Sequence, residues 1–282
     1  MVTEKLDAEP RLGPRYALAL LPGRGGARLP DRELALDGLR VDPGRLADYA
    51  RVCGFPLDGL LPATFPQVLA FGLQVQLMTE PGFPLRLPGL VHLRQRIAVR
   101  RPIGSDEPLD LRVRATDLRA HPRGAKVDMT TSVSVHGEQV WTARGTYLAK
   151  GASAPAGAAS PPEPAEVDGA RLAARWRLGA DTGRRYAAVS GDVNPIHLNP
   201  LAAKMFGFPG AIAHGMWSAA RCLATLQGRL PEHYEVDVVF RKPVVLPAEV
   251  ELFVAERSGS WHLRLCGAGR DRLHLLAEVC PS

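Results

Sequence analysis

Cysteine and long apolar runs are scarce in this sequence. The first shortage argues against a disulfide-stabilised or cysteine-ligated metal protein, and the second against a membrane-spanning one. The 282 residues include only four cysteines, Cys53, Cys222, Cys266 and Cys280, with no Cys-x-x-Cys pair and no metal-ligand spacing. A chain of this length can bury a substantial core without covalent staples, so we expect free thiols in a reducing compartment. No run of about eighteen apolar residues occurs, which argues against a membrane-spanning helix.

Aromatic residues are also few, at 6% of the chain, and no basic run is interleaved with them. A nucleic-acid-binding function is therefore not expected, although the formal charge is +6 and the pI is about 9.4. A mild basic excess suits anionic partners such as the phosphates of coenzyme A or an acidic carrier protein. Near the N-terminus, acidic residues precede the short apolar stretch Tyr16–Leu21, which is the wrong order for a secretory signal. We expect a cytoplasmic protein.

The clearest division of the chain is the segment 151–168, which is rich in alanine, proline, glycine and serine and has no hydrophobic period. This composition is typical of an extended linker. It separates an N-terminal half, residues 1–150, from a C-terminal half, residues 169–282.

The two halves resemble each other at three landmarks that occur in the same order. The matched segments are Tyr49–Gly54 with Tyr186–Gly191, Phe65-Pro66 with Phe208-Pro209, and Arg100–Ile103 with Arg241–Val244. The spacing between partners is 137 residues at the first landmark and 143 at the second. The first half therefore lacks six residues at the place where the second reads Asp-Val-Asn-Pro-Ile-His.

Each half is predicted to be an α+β unit in which a long helix is wrapped by antiparallel strands. The helix candidates are Gln67–Thr79 and Ala213–Gly228, which are apolar on most faces. Alternating, strand-like sequence follows at Val127–Ala149, Glu249–Glu256 and Trp261–Val279.

The segment Ser190–Met216 combines turn signals with ionisable residues. Gly191 permits a tight turn, and Pro195 keeps Asn194 extended rather than helical. Asn199-Pro200 is typical of an N-cap followed by proline in the first helical position, and Gly207 would end that short helix. A second helix is expected to begin near Ala213–Gly215.

Asp192 and His197 are the candidate chemical groups of this loop. Five residues apart, they would face different sides of a continuous helix, and the Asn-Pro break can bring them together. Such a pair can transfer protons to and from a substrate carbon and oxygen, while N–H groups at the next helix start hold an oxyanion. From the residues alone, another interpretation stays open: Asp192 caps a turn and His197 is a hydrogen-bonded core histidine.

The sequence SGDVNPIHLNPLAAKMFGFPGAIAHGM resembles the hydratase-2 pattern of MaoC-like enzymes, which include R-specific enoyl-thioester hydratases and 3-hydroxyacyl-thioester dehydratases. The tandem halves resemble the double-hotdog members of that family. The resemblance implies a double hotdog fold, Asp192 and His197 as the catalytic pair, Gly215 as the backbone oxyanion donor and Asn194 as the residue that orients the loop. It implies no metal and no redox cofactor. The first half departs from the pattern, with Phe55 where Asp192 would align.

The implied reaction is reversible syn hydration of a trans-2-enoyl thioester to an (R)-3-hydroxyacyl thioester. We favour His197 as the base at carbon 2 and Asp192 as the group that acts on the hydroxyl; the sequence does not decide between this assignment and the reverse one. The thioester arm would be coenzyme A or acyl carrier protein. A thioesterase, or a non-catalytic acyl-thioester binder or helper subunit, is the alternative.

The first half, which lacks the loop, is expected to cover its partner as a single-chain dimer, either monomeric or paired again as a homodimer. We predict that it lines an acyl pocket for medium or long chains with Phe55, Leu60, Leu61 and Phe65.

The remaining candidates have weaker signals. His214 is expected to fix the loop against the following helix, and Ser190 to be a turn residue, since no nucleophile elbow surrounds it. Arg241 and Lys242 are candidates for phosphate contact or a solvated strand end, and Lys204 is a weaker candidate of the same kind.

Overall fold

The computed structural model describes residues 2–10, 12–13, 26, 28–87 and 89–282; the apolar stretch at residues 16–21 lies outside them. The strands are β1 (Val2–Leu6), β2 (Arg32–Leu39), β3 (Leu90–Val99), β4 (Leu109–His121), β5 (Gly124–Val135), β6 (Glu138–Lys150), β7 (Arg171–Leu178), β8 (Tyr234–Phe240), β9 (Ala248–Arg257), β10 (Ser260–Gly267) and β11 (Leu273–Pro281). The helices are α1 (Pro43–Cys53), α2 (Phe65–Met78), α3 (Thr182–Ser190), α4 (Pro195–Leu198), α5 (Pro200–Met205) and α6 (Gly215–Leu223), and short 3₁₀ turns follow at Ala224–Leu226 and Ala268–Arg270.

These strands form one sheet in the order β1-β2-β4-β5-β6-β3-β8-β11-β10-β9-β7. The pairing is antiparallel except between β1 and β2. The order β2-β4-β5-β6-β3 of the first half is mirrored by β7-β9-β10-β11-β8 of the second, about the junction of β3 with β8. The fold is the predicted double hotdog, and the mirrored order gives the sequence repeat its structural counterpart.

The long helix of each half lies where the sequence predicted it, with different ends. In α2, nearly every residue is buried, because sheet and helices cover all its sides. In the second half, α6 begins at Gly215 rather than Ala213. The physical reason is that Ala213 donates its N–H to the carbonyl of Val244 at 2.9 Å and His214 has extended dihedrals, so both belong to the preceding extended segment.

The segment between β6 and β7 contains no helix or strand, and it is tied to both halves. Arg94 of β3 donates to the carbonyl of Pro161 at 2.8 Å. Glu163 pairs with Arg241 at 2.8 Å, and Glu166 pairs with Arg264 of β10 at 2.7 Å. The linker therefore crosses from the first half to the second against the sheet. Composition predicted its extension but not these contacts.

Contacts between the halves continue inside the molecule. Trp217 of α6 donates its indole N–H to the carbonyl of Val52 at 3.1 Å. Tyr49 and Tyr186, which the repeat aligns, pack with ring centroids 6.2 Å apart. One hydrophobic core therefore spans both halves.

The described residues also test two expectations drawn from composition. The four cysteines are free thiols, as predicted, and three of them are buried. Within the described ranges, no helix combines the length and the apolar character needed to cross a membrane. The cytoplasmic location stays a prediction.

Candidate active site

The loop after α3 is a tight turn that exposes Asp192. Gly191 ends α3 in the left-handed region, at φ +77°, which a glycine adopts without strain. The buried Ser190 accepts a hydrogen bond at Oγ from the N–H of Asp192 at 3.2 Å. Asp192 in turn accepts at Oδ1 from the N–H of Asn194 at 3.2 Å. Ser190 and Asp192 therefore both hydrogen-bond within the turn, and Asp192 Oδ2 lies 3.7 Å from His214 Nε2.

The Asn-Pro break brings His197 back to Asp192. Asn194 is extended, at φ −57° and ψ 124°, and its side chain caps the one-turn helix α4 by accepting from the N–H of Ile196 at 3.4 Å. His197 lies in that turn. Ligand-type atoms of Asp192, His197 and His214 all lie within 4.8 Å of one another. The predicted proximity of Asp192 and His197 is thus present in the structure.

The protonation of His197 follows from its surroundings. Its Nδ1 lies 2.8 Å from the carbonyl oxygen of Ile212, and because a carbonyl only accepts, Nδ1 carries the proton. The neutral ring then holds a lone pair at Nε2. Burial lowers the pKa of His197 below its usual 6.5, and the opposing effects of Asp192 and of the Ile212 hydrogen bond are smaller. His197 is therefore suited to accept a proton at Nε2.

His214 supports this loop from behind. Its Nε2 donates to the backbone carbonyl of Asp192 at 3.0 Å, and its ring stacks on that of His197 with centroids 3.6 Å apart and planes 23° apart. Burial, and then the neighbouring His197, lower the pKa of His214 to about 3. These contacts favour the predicted role of fixing the loop against the helix that follows.

The same three residues invite a metal-site interpretation, since each offers one ligand atom. An imidazole coordinates a metal in the plane of its ring, and two nearly parallel rings 3.6 Å apart do not direct their lone pairs to one point. In addition, His197 Nδ1 and His214 Nε2 are already hydrogen-bonded to carbonyls. This geometry does not favour a shared ion, and the expectation of a metal-free site stays a prediction.

Gly215 begins α6 beside this cluster. The N–H of a first helical residue has no acceptor within its own helix, so it is available to a ligand. The ring of Phe240 packs on the glycine, and a Cβ added there would lie 3.1 Å from two ring carbons. The short helix α5 precedes it as predicted, with Asn199 accepting from the N–H of Leu201 at 2.8 Å.

A cavity of about 370 Å³ opens at these residues and is lined by both halves. The first half contributes mainly apolar side chains: Gln67, Val68, Phe71, Met78, Leu87, Leu90, His92 and Tyr147. The second half contributes Tyr186, Ser190, Asp192, Asn194, His197, His214, Gly215, Met216 and Phe240. The polar cluster therefore stands in an otherwise apolar chamber, which is the environment an acyl thioester requires.

The four first-half residues predicted for the acyl pocket do not line this cavity, and that assignment is corrected. Phe65 is 0% exposed in the core, and Phe55 stacks on Tyr49 with centroids 6.4 Å apart. Leu60 is 40% exposed, and Leu61 donates its N–H to the carbonyl of Ile103 at 2.9 Å. The reason is that the shortened loop of the first half folds against the segment before β4 and meets the second half away from the cavity, where Gln227 donates to Asp58 Oδ2 at 3.0 Å.

The residues that do face the cavity from the first half carried a signal in the sequence. Phe71 and Met78 are seven residues apart, which places them on the same face of α2. The repeat also aligns Phe71 with His214, a residue of the other half's site. The helical spacing of Phe71 and Met78, together with the alignment of Phe71 with His214, would therefore have predicted this apolar wall.

Basic residues from both halves stand where the cavity meets the surface. They are Arg123 and Lys150 of the first half and Arg241 and Lys242 of the second, all exposed. Arg241 pairs with the linker residue Glu163, and the carbonyl of Lys242 accepts from His274 Nδ1 at 3.0 Å. Lys204 is exposed on α5 and does not line the cavity.

Comparison with known proteins matches the chain along most of its length. Residues 164–262 match the family described as MaoC like domain. The chain is 40% identical to 3-hydroxyacyl-thioester dehydratase X of Mycobacterium tuberculosis over 252 residues, which are 89% of this chain and 90% of that protein. A crystal structure of HtdX from the same organism superposes with a TM-score of 0.79 at 39% identity, covering 89% of this chain and 100% of the other. A MaoC-like dehydratase from Phytophthora capsici gives a TM-score of 0.74 at 16% identity, covering 93% and 98%, a likeness that shows the fold alone.

Proposed function

Because the chain belongs to the MaoC-like dehydratase family, we propose that it interconverts (R)-3-hydroxyacyl and trans-2-enoyl thioesters by adding or removing water. The observation that carries this proposal is the cluster of Asp192, His197 and the Gly215 N–H at the polar end of an apolar cavity. The reaction belongs to fatty-acid metabolism, and the protein is a hydro-lyase.

The proton inventory of the pair supports the assignment of roles. In dehydration, His197 Nε2 takes the proton from carbon 2, while protonated Asp192 gives its proton to the departing hydroxyl at carbon 3, which leaves as water. The pair begins as a neutral imidazole and a carboxylic acid and ends as an imidazolium and a carboxylate. The total number of protons on His197 and Asp192 is therefore the same before and after the step. Burial keeps His197 a neutral base, and the nearby Asp192 favours its charged form once the proton arrives.

The charge that develops on the thioester oxygen needs a donor. Removal of the carbon 2 proton gives enolate character, which a backbone N–H at a helix start stabilises. Gly215 supplies such a group, and Asn194 holds the turn that carries Asp192 and His197. His214 acts on the loop and not on substrate, through its hydrogen bond to the carbonyl of Asp192.

We further propose that the halves divided by residues 151–168 have unequal roles. The second half carries the proton-transfer groups, and α2 of the first half supplies the acyl wall through Val68, Phe71 and Met78. The basic residues at the cavity mouth, Arg241 and Lys242 among them, would meet the phosphates of a coenzyme A or carrier-protein arm.

The test follows crotonyl-CoA and dodecenoyl-CoA by loss of enoyl absorbance, with chiral analysis of the product. We expect the wild type to give the (R)-3-hydroxyacyl thioester, and Asp192→Asn and His197→Ala each to lower kcat by at least about 10³-fold. Asp181→Asn and His233→Ala, at exposed positions outside the cavity, are the matched controls and should retain activity. Circular dichroism would verify that every variant is folded.

The alternatives give different outcomes in the same assay. Release of free thiol from a saturated acyl-CoA would identify a thioesterase. Binding without turnover, with coenzyme A and carrier-protein thioesters alike, would identify a non-catalytic acyl-thioester binder and contradict the proposal. A sharp fall in rate from the four-carbon to the twelve-carbon substrate would contradict the acyl role of α2.

A further inference from the structure

A bulge in β3 of the first half lies in the wall of the cavity. His92 pairs with Tyr147 and Arg94 with Thr146, so Leu93 is an extra residue on its strand. An extra residue reverses the alternation of side chains beyond it, and bulges often re-aim a side chain at a functional site. His92 lines the cavity beside Tyr147, together with Leu90, Val91 and Leu93 of the same strand, and its Nε2 donates to the carbonyl of Arg94 at 3.0 Å, which ties the ring back to the bulge.

From His92, a row of rings crosses to the second half. The imidazole stacks on Tyr147 with centroids 4.4 Å apart and planes 18° apart. On its other side it meets Phe240 of β8 at 4.8 Å with planes 52° apart. Since β3 and β6 belong to the first half and β8 to the second, the row spans the junction between halves.

The row ends on Gly215. The side chain of Phe240 is so close to this glycine that an added Cβ would lie 3.1 Å from two ring carbons and 3.3 Å from a third. Real Cβ atoms rarely approach other atoms this closely, so the ring limits where the start of α6 can lie. The direction of the Gly215 N–H follows from that position. A displacement near 1 Å at a reacting centre can cost about 100-fold in rate.

We propose that His92 is a positioning residue through which the first half holds the Gly215 N–H on the thioester oxygen, by way of Phe240. This inference rests on the proposed function. Burial lowers the pKa of His92 to about 4, so the ring is neutral near pH 7 and acts as a packing partner, not as an acid. The half without proton-transfer groups would thus still take part in every turnover.

Three substitutions at one position separate the ring from its hydrogen bond. His92→Ala removes both and should lower kcat by about 10- to 100-fold with KM changed less than about twofold, because the donor serves the transition state. His92→Gln keeps a hydrogen-bonding group without a ring and should fall equally. His92→Phe keeps the ring and should recover kcat to within about threefold. His262→Ala, which removes a similarly enclosed histidine outside the cavity, is the control.

A second readout does not depend on turnover. In protein labelled with ¹⁵N-glycine, the Gly215 amide resonance is identified by its absence in Gly215→Ala. It should shift in His92→Ala, whose ring reaches Gly215 only through Phe240, and stay in place in His262→Ala. Unchanged kcat in folded His92→Ala, an effect on KM alone, or full activity of His92→Gln would overturn the positioning role. If the wild type itself turned over no thioester, the proposed function would fail, and the resonance would still decide whether the ring row sets the helix start.

Discussion

The first helix of each half ends in the same way, and the chains then diverge. Gly54 closes α1 at φ +81° and Gly191 closes α3 at φ +77°. After Gly54 comes Phe55, which packs on Tyr49; after Gly191 comes Asp192, which faces the cavity. The same scaffold therefore carries a buried apolar side chain in one copy and a candidate catalytic carboxylate in the other. The difference is a loop of six residues, and chemistry resides in such loops more than in the fold that holds them.

A second contrast concerns what stands beside these turns. Arg221 of α6 donates to the carbonyl of Cys53 at 3.3 Å and fills the space beside Gly54 so closely that a Cβ there would overlap its guanidinium. By the repeat, the partner of Arg221 is Met78, which lines the cavity of the second half's site. At this position of the repeat, the second half therefore has a cation, Arg221, which packs on the turn at Gly54. The first half has an apolar residue, Met78, which lines the same cavity as Asp192.

The repeat pairs Gly215 of α6 with Gly72 of α2, and the two glycines have different neighbours. Gly215→Ala retains the N–H but places a Cβ 3.1 Å from the Phe240 ring, so either the ring or the helix start must move. We expect kcat to fall by about 100-fold. Gly72→Ala places its Cβ 3.3 Å from Pro10, away from the cavity, and should leave kcat unchanged while altering the free energy of unfolding by less than about 1 kcal/mol.

Steady-state kinetics and urea denaturation of both variants check this prediction. Adding Phe240→Leu to Gly215→Ala should recover part of any lost free energy of unfolding, because the smaller side chain makes room for the new methyl group, but not the kcat, because the ring that positions the Gly215 N–H is gone. Equal losses of kcat in Gly215→Ala and Gly72→Ala would contradict this prediction, because they would show that both glycines are needed only for helix packing.

Each half places a histidine in the wall of the cavity, and the two are expected to lower the stability of the protein in acid by different amounts. Burial lowers the pKa of His92 in the first half to about 4, and that of His214 in the second to about 3. The unfolded chain, with histidine pKa values near 6.5, binds more protons between about pH 6.5 and 4, so the free energy of unfolding decreases as pH falls. Since His92 is only partly buried, we expect His92→Phe to lessen the decrease between pH 7 and 4.5 by about 1–2 kcal/mol, and His214→Phe by more.

Urea denaturation at the two pH values measures this difference. Parallel curves for His92→Phe and the wild type would mean that the His92 ring is solvated and protonates freely in the folded state.

Periodicity and turn chemistry predicted the long buried helix and antiparallel strands of each half, the short helix after Asn199-Pro200 and the turn that brings Asp192 and His197 together, because each depends on local backbone preferences. The double hotdog itself was implied by the resemblance to MaoC-like enzymes. The acyl wall was wrong, because sequence order placed Phe55 to Phe65 near the missing loop, while the truncated loop turns toward Ile103. His92 gave no signal, since a bulge that reverses one side chain depends on the register of a neighbouring strand. Local sequence preferences predict turns and helices. Contacts across the junction of β3 and β8 cannot be predicted from them, because these contacts depend on how the strands pair in the sheet.

The smallest expected effects concern the cations at the cavity mouth, two from each half. Replacing Arg123, Lys150 or Lys242 with glutamine should raise KM for a coenzyme A thioester by about two- to fivefold, since exposed charge pairs contribute at most about 1 kcal/mol. Arg241→Gln should have the weakest effect, because Glu163 at 2.8 Å already offsets its charge. The increases should diminish with added salt and vanish for the N-acetylcysteamine thioester, which has no phosphates. If only Lys242 affects KM, the second half alone contacts the phosphates, and the first half contributes through the acyl wall and the row of rings. If Arg123 and Lys150 also affect KM, both halves hold the thioester arm, although the first half has no proton-transfer groups.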